Sequence, residues 1–151
     1  MNPDERTHGL FLHGMVLVLA GLLMGAVVQS VANPRIGLSA HTGTLMNGIL
    51  VIAMGAFWPR LALSRQQDTI AYWLVVDGSY VSCAALLLAG VFGTSRSTPL
   101  HGAGHAGTAW QEALVEAGLV VGAVALLAGC VLTLFGLARR VRGPISPTAT
   151  R

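Results

Sequence analysis

The chain has 151 residues, of which 54% are hydrophobic and 10% are charged, and its mean hydropathy is +0.68. Soluble domains carry about 25% charged residues, so this composition excludes an ordinary soluble domain and indicates an integral membrane protein. Nine arginines and no lysine contribute to a net charge of +3. These arginines stand at the ends of apolar runs, which argues against nucleic acid as a partner.

Four apolar runs are each long enough to cross a bilayer as a helix, which takes about 20 residues. Backbone groups in lipid must find their hydrogen-bond partners within the protein, so such runs are helical. We therefore expect an all-α integral membrane protein with a single four-helix bundle over residues 1–151. The predicted spans are 10–31, 41–58, 70–92 and 113–138, followed by a short basic tail at 139–151.

The first run resembles a signal peptide because Ser30-Val31-Ala32 loosely fits a cleavage site. The segment before it lacks the usual positive charge, since Asp4 and Glu5 outweigh Arg6. The run is also longer than the roughly 7–15 apolar residues of a signal sequence. We expect a retained helix.

Arginine placement predicts the orientation of the spans, because cytoplasmic loops are enriched in positive charge. One side of the bilayer would hold Arg35 and Arg96. The other side, predicted to be cytoplasmic and to hold both termini, would carry Arg6, Arg60, Arg65, Arg139, Arg140, Arg142 and Arg151.

Two pairs of glycines have the spacing that lets helices approach closely in a membrane. They are Gly21 and Gly25 in the first span, and Gly118 and Gly122 in the fourth. The contact could lie within the bundle or between subunits. A single four-helix unit is small, so a cavity for a large cofactor would be easier to build between subunits of a homo-oligomer.

The second span contains a histidine and an asparagine, His41 and Asn47, which are costly in lipid without partners. On a helix they are separated by roughly 9 Å in height and about 120° around the axis. They could border one broad, flat ligand such as a porphyrin, but not one small ion. Zinc would need three or four converging ligands, and the usual spacings are missing. The alternative is a hydrogen bond between helices.

The third span contains Asp77, Tyr80 and Cys83. A carboxylate at that depth would be protonated or would need a partner. Asp77 could relay protons or stabilise a cationic intermediate, or it could make a buried contact to a histidine or an arginine. Cys83 is expected to be a small buried hydrophobe.

The segment before the fourth span is a glycine-rich loop, residues 93–108, which is too long for a simple turn and could fold over a site. Its histidines, His101 and His105, are expected to be ordinary loop residues. Glu112 and Glu116 are expected to form a solvated start of the fourth span, where negative charge is favourable. His13, in the first span, is given no role.

Several segments resemble the hydroxylaminobenzene mutase family, small bacterial membrane proteins that convert arylhydroxylamines to aminophenols. They are Ala32–His41, Met46-Asn47-Gly48, Phe57–Leu61 and Thr108–Leu114. A more distant resemblance is to styrene oxide isomerase. It rests on Ala40-His41-Thr42-Gly43-Thr44-Leu45-Met46-Asn47-Gly48, with Asp77-Gly78 and His13-Gly14 also matching.

The second resemblance implies a homotrimer of four-helix protomers with ferric haem b as cofactor. It implies that His41 is the axial ligand of the haem iron and that Asn47 lies over the reacting oxygen. The iron would act as a Lewis acid, and Asp77 would stabilise the cation. Arg35 or Arg96 would pair with the haem propionates. Together the resemblances imply a small aromatic substrate and a multi-pass protein of the bacterial inner membrane.

One position departs from the isomerase pattern. That family has a functional tyrosine eight residues after the aspartate, where this chain has Ala85. Tyr80 is close in sequence but on another face of the helix, and we keep it as a candidate catalytic residue. The departure counts against epoxide isomerisation and leaves a related rearrangement open. The alternatives are an epoxide-to-aldehyde rearrangement, a non-enzymatic membrane scaffold and a haem electron-transfer protein.

Overall fold

Five α-helices and two short 3₁₀ helices, Val28–Ser30 and Trp58–Arg60, occur in the part of the chain that the computed structural model describes, residues 3–102 and 104–141. No strand occurs in these residues, and four of the helices are long and apolar enough to cross a bilayer. This confirms the prediction of an all-helical chain with four helices of spanning length. The helices are α1 (Pro3–Val27), α2 (Pro34–Phe57), α3 (Arg65–Phe92), α4 (Pro99–Gly102) and α5 (Ala109–Val141).

Helix α2 starts seven residues before the predicted span. The Asn33 side chain accepts hydrogen bonds from the N–H groups of Arg35, at 3.1 Å, and Ile36, at 3.3 Å. Pro34 occupies the first helical position, where its missing N–H costs nothing. His41 therefore lies about two turns inside the helix and does not open it. At the other end of the chain α5 runs to Val141, and the remainder of the predicted tail, 142–151, lies outside the described residues.

The long helices stand side by side in the order α1, α2, α3, α5. Helix α2 packs on α1 and α3, α5 packs on α3, and α1 also reaches α3. Within the described residues α1 and α5 do not meet. The turn at 28–33 and the loop at 93–108 share one end of the bundle, which we call the loop end. The start of α1, the 58–64 connection and the last turns of α5 share the other, the terminal end.

A buried ion pair connects two helices at the terminal end. Arg6 of α1 is only 4% exposed, and its Nη1 lies 3.0 Å from Asp68 Oδ2. Arg6 Nη2 donates to Thr69 Oγ1 at 2.7 Å, and Trp58 Nε1 donates to Asp68 Oδ1 at 2.8 Å. The sequence interpretation of Arg6 as a topology signal did not foresee this contact, which ties α1 to the start of α3 and the end of α2.

The two glycine pairs make their contacts within the chain. A Cβ added at Gly21 would lie 2.9 Å from the Leu45 side chain of α2. A Cβ added at Gly118 would lie 2.9 Å from the Ala85 Cβ of α3. The close approach that these spacings predict thus joins α1 to α2 and α5 to α3, and of the two alternatives the structure supports the contact within the bundle.

Helices α1 and α2 approach each other closely at Gly14 and Gly48, and this crossing yields a prediction for Gly48→Ala. The new Cβ would lie 2.8 Å from Val18 N and 2.9 Å from Gly14 O. These are backbone atoms, so the helices must separate, and we expect a loss of about 1–3 kcal/mol in the free energy of unfolding. Unfolding by SDS in mixed micelles measures it. Gly43→Ala is the matched control, because its Cβ would meet a Leu86 methyl at 3.2 Å. Equal losses in both variants would contradict the prediction.

Candidate functional site

His41 is held by α1 at a position where glycines leave space for its ring. Its Nδ1 lies 2.7 Å from the carbonyl oxygen of Gly21, and a Cβ added at Gly25 would lie 2.7 Å from Nδ1 and Cε1. A carbonyl oxygen can only accept, so Nδ1 carries the hydrogen and the lone pair of the neutral ring is on Nε2. The expected contact between helices is therefore present, and it leaves Nε2 as an oriented nitrogen donor for a metal or a haem iron.

Asn47 faces a different neighbour. Its Nδ2 donates to Cys83 Sγ of α3 at 3.4 Å, while His41 faces α1. This divergence agrees with the angular separation expected from the sequence. Sulfur is a weak acceptor, so the half-buried amide keeps hydrogen-bonding capacity for a ligand.

A third polar contact lies where α1, α2 and α3 meet. The Nδ1 of His13 is 3.2 Å from the Tyr80 hydroxyl, and the His13 ring lies edge to face against Tyr80, with centroids 5.7 Å apart, and against Tyr72, at 6.4 Å. His13 and Asn47 each precede a glycine of the Gly14–Gly48 crossing, so they lie beside it, on opposite sides because α1 and α2 run antiparallel. Tyr80 and Cys83 are three residues apart and share a face of α3.

We call this group the central junction, and it consists of His13, Asn47, Tyr80 and Cys83. The sequence identified Asn47 and Tyr80 as candidate catalytic residues, and the structure brings them to one place. It missed His13, to which it gave no role. The available signal was the His13-Gly14 pair, since a glycine in a span often marks a helix crossing and so places its neighbour at an interface.

Asp77 lies elsewhere. It is exposed on the outer side of α3, in a groove of about 310 Å³ that α5 borders. The buried contact to a histidine or an arginine, one of the alternatives that the sequence left open for Asp77, is absent among the described residues. The residues that line the groove are Thr69, Ile70, Trp73, Leu74, Asp77 and Ala125.

Ala85, where the isomerase family has a tyrosine, lies against α5. It is buried, and a Cβ added at Gly118 would lie 2.9 Å from the Ala85 Cβ. A phenol ring has no space in that contact. Tyr80 points instead to α1, so its role is independent of that of the family's tyrosine.

The loop end is organised by a buried carboxylate, Glu112. It is 6% exposed and accepts hydrogen bonds of 3.0 Å from three backbone N–H groups, those of Ser95, Arg96 and Gly107. The expectation of a solvated Glu112 is therefore wrong, because the loop folds back over the helix start and needs an acceptor there. Glu116 is exposed as expected, with its Oε2 3.6 Å from Arg96 Nη1.

The loop is also attached to α2. Asn33 Nδ2 donates to the carbonyl oxygens of His101, at 3.0 Å, and Gly102, at 3.1 Å. The side chains of His101 and His105 are exposed, as expected of ordinary loop residues. Arg35 is exposed at this same end, so both candidate propionate partners, Arg35 and Arg96, lie at the end of the bundle nearer to His41.

No group of three His, Cys, Asp or Glu side chains that could hold a metal ion occurs in the described part of the chain. His41 thus supplies one nitrogen, as an axial ligand of haem would.

Comparisons with known proteins identify the family of the chain. Residues 6–138 match the family model described as styrene oxide isomerase. The chain belongs to this family. Two relatives from Ectopseudomonas oleovorans are hydroxylaminobenzene mutases. HabB is 40% identical over 125 residues, which cover 82% of this chain and 76% of HabB. HabA is 32% identical over 131 residues, which cover 86% of this chain and 97% of HabA. No solved structure matches the chain.

The protein is therefore an isomerase, and the resemblance noted in its sequence is confirmed. This excludes the non-enzymatic scaffold that the sequence left open. The motif His41–Gly48 contains both the oriented imidazole and the Asn47 amide of this isomerase, and it lies within the matched residues.

Proposed function

We propose that this isomerase converts arylhydroxylamines to aminophenols, as in hydroxylaminobenzene to 2-aminophenol, by moving the hydroxyl group within one molecule. The similarity to two hydroxylaminobenzene mutases, at 40% and 32% identity, carries this proposal. The second candidate, rearrangement of an epoxide to an aldehyde, is favoured by the family model and opposed by Ala85 in place of the tyrosine.

The isomerase would reside in the bacterial inner membrane with both termini in the cytoplasm. Large apolar side chains are exposed along α1, α2 and α5, as lipid contact requires. The terminal end holds Arg6, Arg60, Arg65, Arg139 and Arg140, against Arg35 and Arg96 at the loop end. By the positive-inside rule, this asymmetry supports a cytoplasmic location for the terminal end. Arg142 and Arg151 lie outside the described residues.

His41 would hold haem b through Nε2. The hydrogen bond from Nδ1 to Gly21 orients the ring and increases its basicity, as is usual for histidine ligands. Ferric haem would supply a Lewis acid that weakens the N–O bond. Arg35 or Arg96 would pair with the propionates, since both lie at the loop end and arginine pairs well with carboxylates.

Two residues of the chain would then have separate roles in the rearrangement. Asn47 would donate a hydrogen bond to the migrating oxygen and keep it near the ring. Asp77 would stabilise the positive charge that develops on nitrogen and ring. A dry pocket would limit capture of this cation by water.

The position of Asp77 supports a homo-oligomer, for which we favour a trimer with the cofactor near the subunit interface. Its carboxylate is exposed on the outer side of α3, and a carboxylate facing lipid at the bilayer centre costs about 2.5–3.5 kcal/mol or more. A neighbouring subunit would cover the groove and bring Asp77 to a shared site.

The decisive experiment compares detergent-purified wild type with His41→Ala by absorbance spectrum and product analysis. We expect a Soret band and conversion of hydroxylaminobenzene to 2-aminophenol in the wild type, and loss of both in the variant. His101→Ala, with an exposed side chain, is the control and should behave like the wild type. An active wild type without a Soret band would eliminate the haem.

The same preparation separates the remaining alternatives. Turnover of styrene oxide but not of hydroxylaminobenzene would select epoxide rearrangement. A low-spin ferric haem with two strong axial ligands would favour electron transfer, whereas a high-spin haem with an open position is expected here.

A further inference from the structure

The hydrogen-bonded pair of His13 and Tyr80 takes no part in the proposed haem binding or in the proposed transfer of the hydroxyl group. Both side chains are half-buried at the depth of the α1–α2 crossing, and they come from different helices. Tyr80 lies beside Cys83 on α3, and Cys83 receives the hydrogen bond of Asn47. The side chain of Cys83 therefore connects the phenol to the amide that would hold the migrating oxygen.

The proposed rearrangement contains a proton transfer that needs such a pair. Once the N–O bond has broken and the oxygen has bonded to the ortho carbon, the intermediate is a cyclohexadiene imine with a hydrogen on that carbon. To become 2-aminophenol it must lose this proton and gain one at nitrogen. The transfer is balanced, with no proton gained or lost overall, but a site that excludes water needs a protein group to carry the proton.

We propose that Tyr80 is the catalytic residue that carries this proton and that His13 is its positioning residue, an inference that rests on the proposed function. This role requires the tautomer with the hydrogen of the neutral His13 ring on Nε2, so that the Tyr80 hydroxyl donates its hydrogen to Nδ1. When the phenol oxygen takes the proton from the ortho carbon, the original hydroxyl proton passes to His13. Tyr80 then delivers a proton to the imine nitrogen and His13 returns the one it holds, so both residues end as they began.

The surroundings of the pair suit this role. The His13 ring is set edge to face against Tyr72 as well as Tyr80, which fixes its plane. The next residue, Gly14, is in close contact with α2. This contact fixes the position of His13 along the bundle. The histidine would therefore keep one orientation through a catalytic cycle, as an acceptor of the phenol proton must.

The test uses full-length haem-loaded enzyme and hydroxylaminobenzene deuterated at both ortho carbons. In Tyr80→Phe we expect kcat to fall about 100-fold or more with little change in KM. We also expect a primary deuterium isotope effect on kcat that the wild type lacks, because proton removal becomes rate-limiting. His13→Gln, which keeps an acceptor but not a base, should show the same isotope effect. The double variant should lose no more than Tyr80→Phe.

Tyr72→Phe is the matched control, since it removes a neighbouring hydroxyl and keeps the ring that packs against His13, and it should show wild-type kcat and no isotope effect. Tyr80→Phe keeps the ring and its packing, so it decides the matter even where His13→Gln does not fold. Full activity of Tyr80→Phe, or a loss without an isotope effect, would overturn the inference. A wild type that leaves hydroxylaminobenzene unchanged would instead overturn the proposed function.

Discussion

Replacing Arg6 by methionine is expected to lower the free energy of unfolding by about 3 kcal/mol. Removing one partner of a buried ion pair costs about 3–5 kcal/mol, and partial exposure of Asp68, at 23%, places the effect at the lower end. Methionine fills much of the same space, so the loss of stability measures the contribution of the Arg6 charge and of its hydrogen bond to Thr69. SDS unfolding in mixed micelles measures it.

Trp58 provides a local signal for this prediction, because its indole donates to Asp68 and its fluorescence should shift in Arg6→Met. The control is Arg60→Met at the same end of the bundle. Arg60 is exposed and makes a long 3.4 Å contact with the Ala56 carbonyl, so a change within about 0.5 kcal/mol is expected. If both variants lost the same stability, the ion pair would not be what holds the terminal end together.

Replacing Glu112 by glutamine is expected to release the loop at residues 93–108. The carboxylate accepts from three backbone N–H groups, and hydrogen bonds to a charged group contribute about 1.5–3 kcal/mol each. Glutamine has a single acceptor oxygen and would turn an N–H donor toward one of those N–H groups. We expect a local loss of about 3 kcal/mol, read as faster hydrogen exchange at Ser95, Arg96 and Gly107.

Glu116→Gln is the matched control for the loop, one turn further along α5. Its contact with Arg96 is 3.6 Å long and half-exposed, and such pairs contribute little. Hydrogen exchange in the loop should remain as in the wild type. Equal acceleration in both variants would show that net charge, not the buried acceptor, holds the loop.

The helices were predictable because their signals are local. Length and hydropathy require four spanning segments, and Asn33 with Pro34 is an N-cap signal that would have moved the start of the second helix from His41 to its true place. The glycine spacings predicted close packing, but not which helices it joins. Choosing between contact within the chain and contact between subunits required the positions of α2 and α3.

Only part of the site was predictable from the sequence. His41 and Asn47 stood out because polar groups in a span need partners, and the six-residue spacing already required them to face different neighbours. The pairing of His13 with Tyr80 spans 67 residues and leaves no trace in local sequence. The expectation of a solvated Glu112 was wrong because local sequence does not reveal that the glycine-rich loop folds over the start of α5.

The sequence by itself determined the family, the helical class, the apolar surface and the histidine on which haem binding is proposed to depend, since all of these follow from composition, periodicity and a short motif. Tertiary structure decided which nitrogen of His41 is free, which phenol meets a histidine, and that Asp77 faces outward. These properties depend on how helices distant in the chain are rotated against each other. For α1 and α2 that rotation is set largely by the close approach of the two helices at Gly14, Gly21 and Gly48.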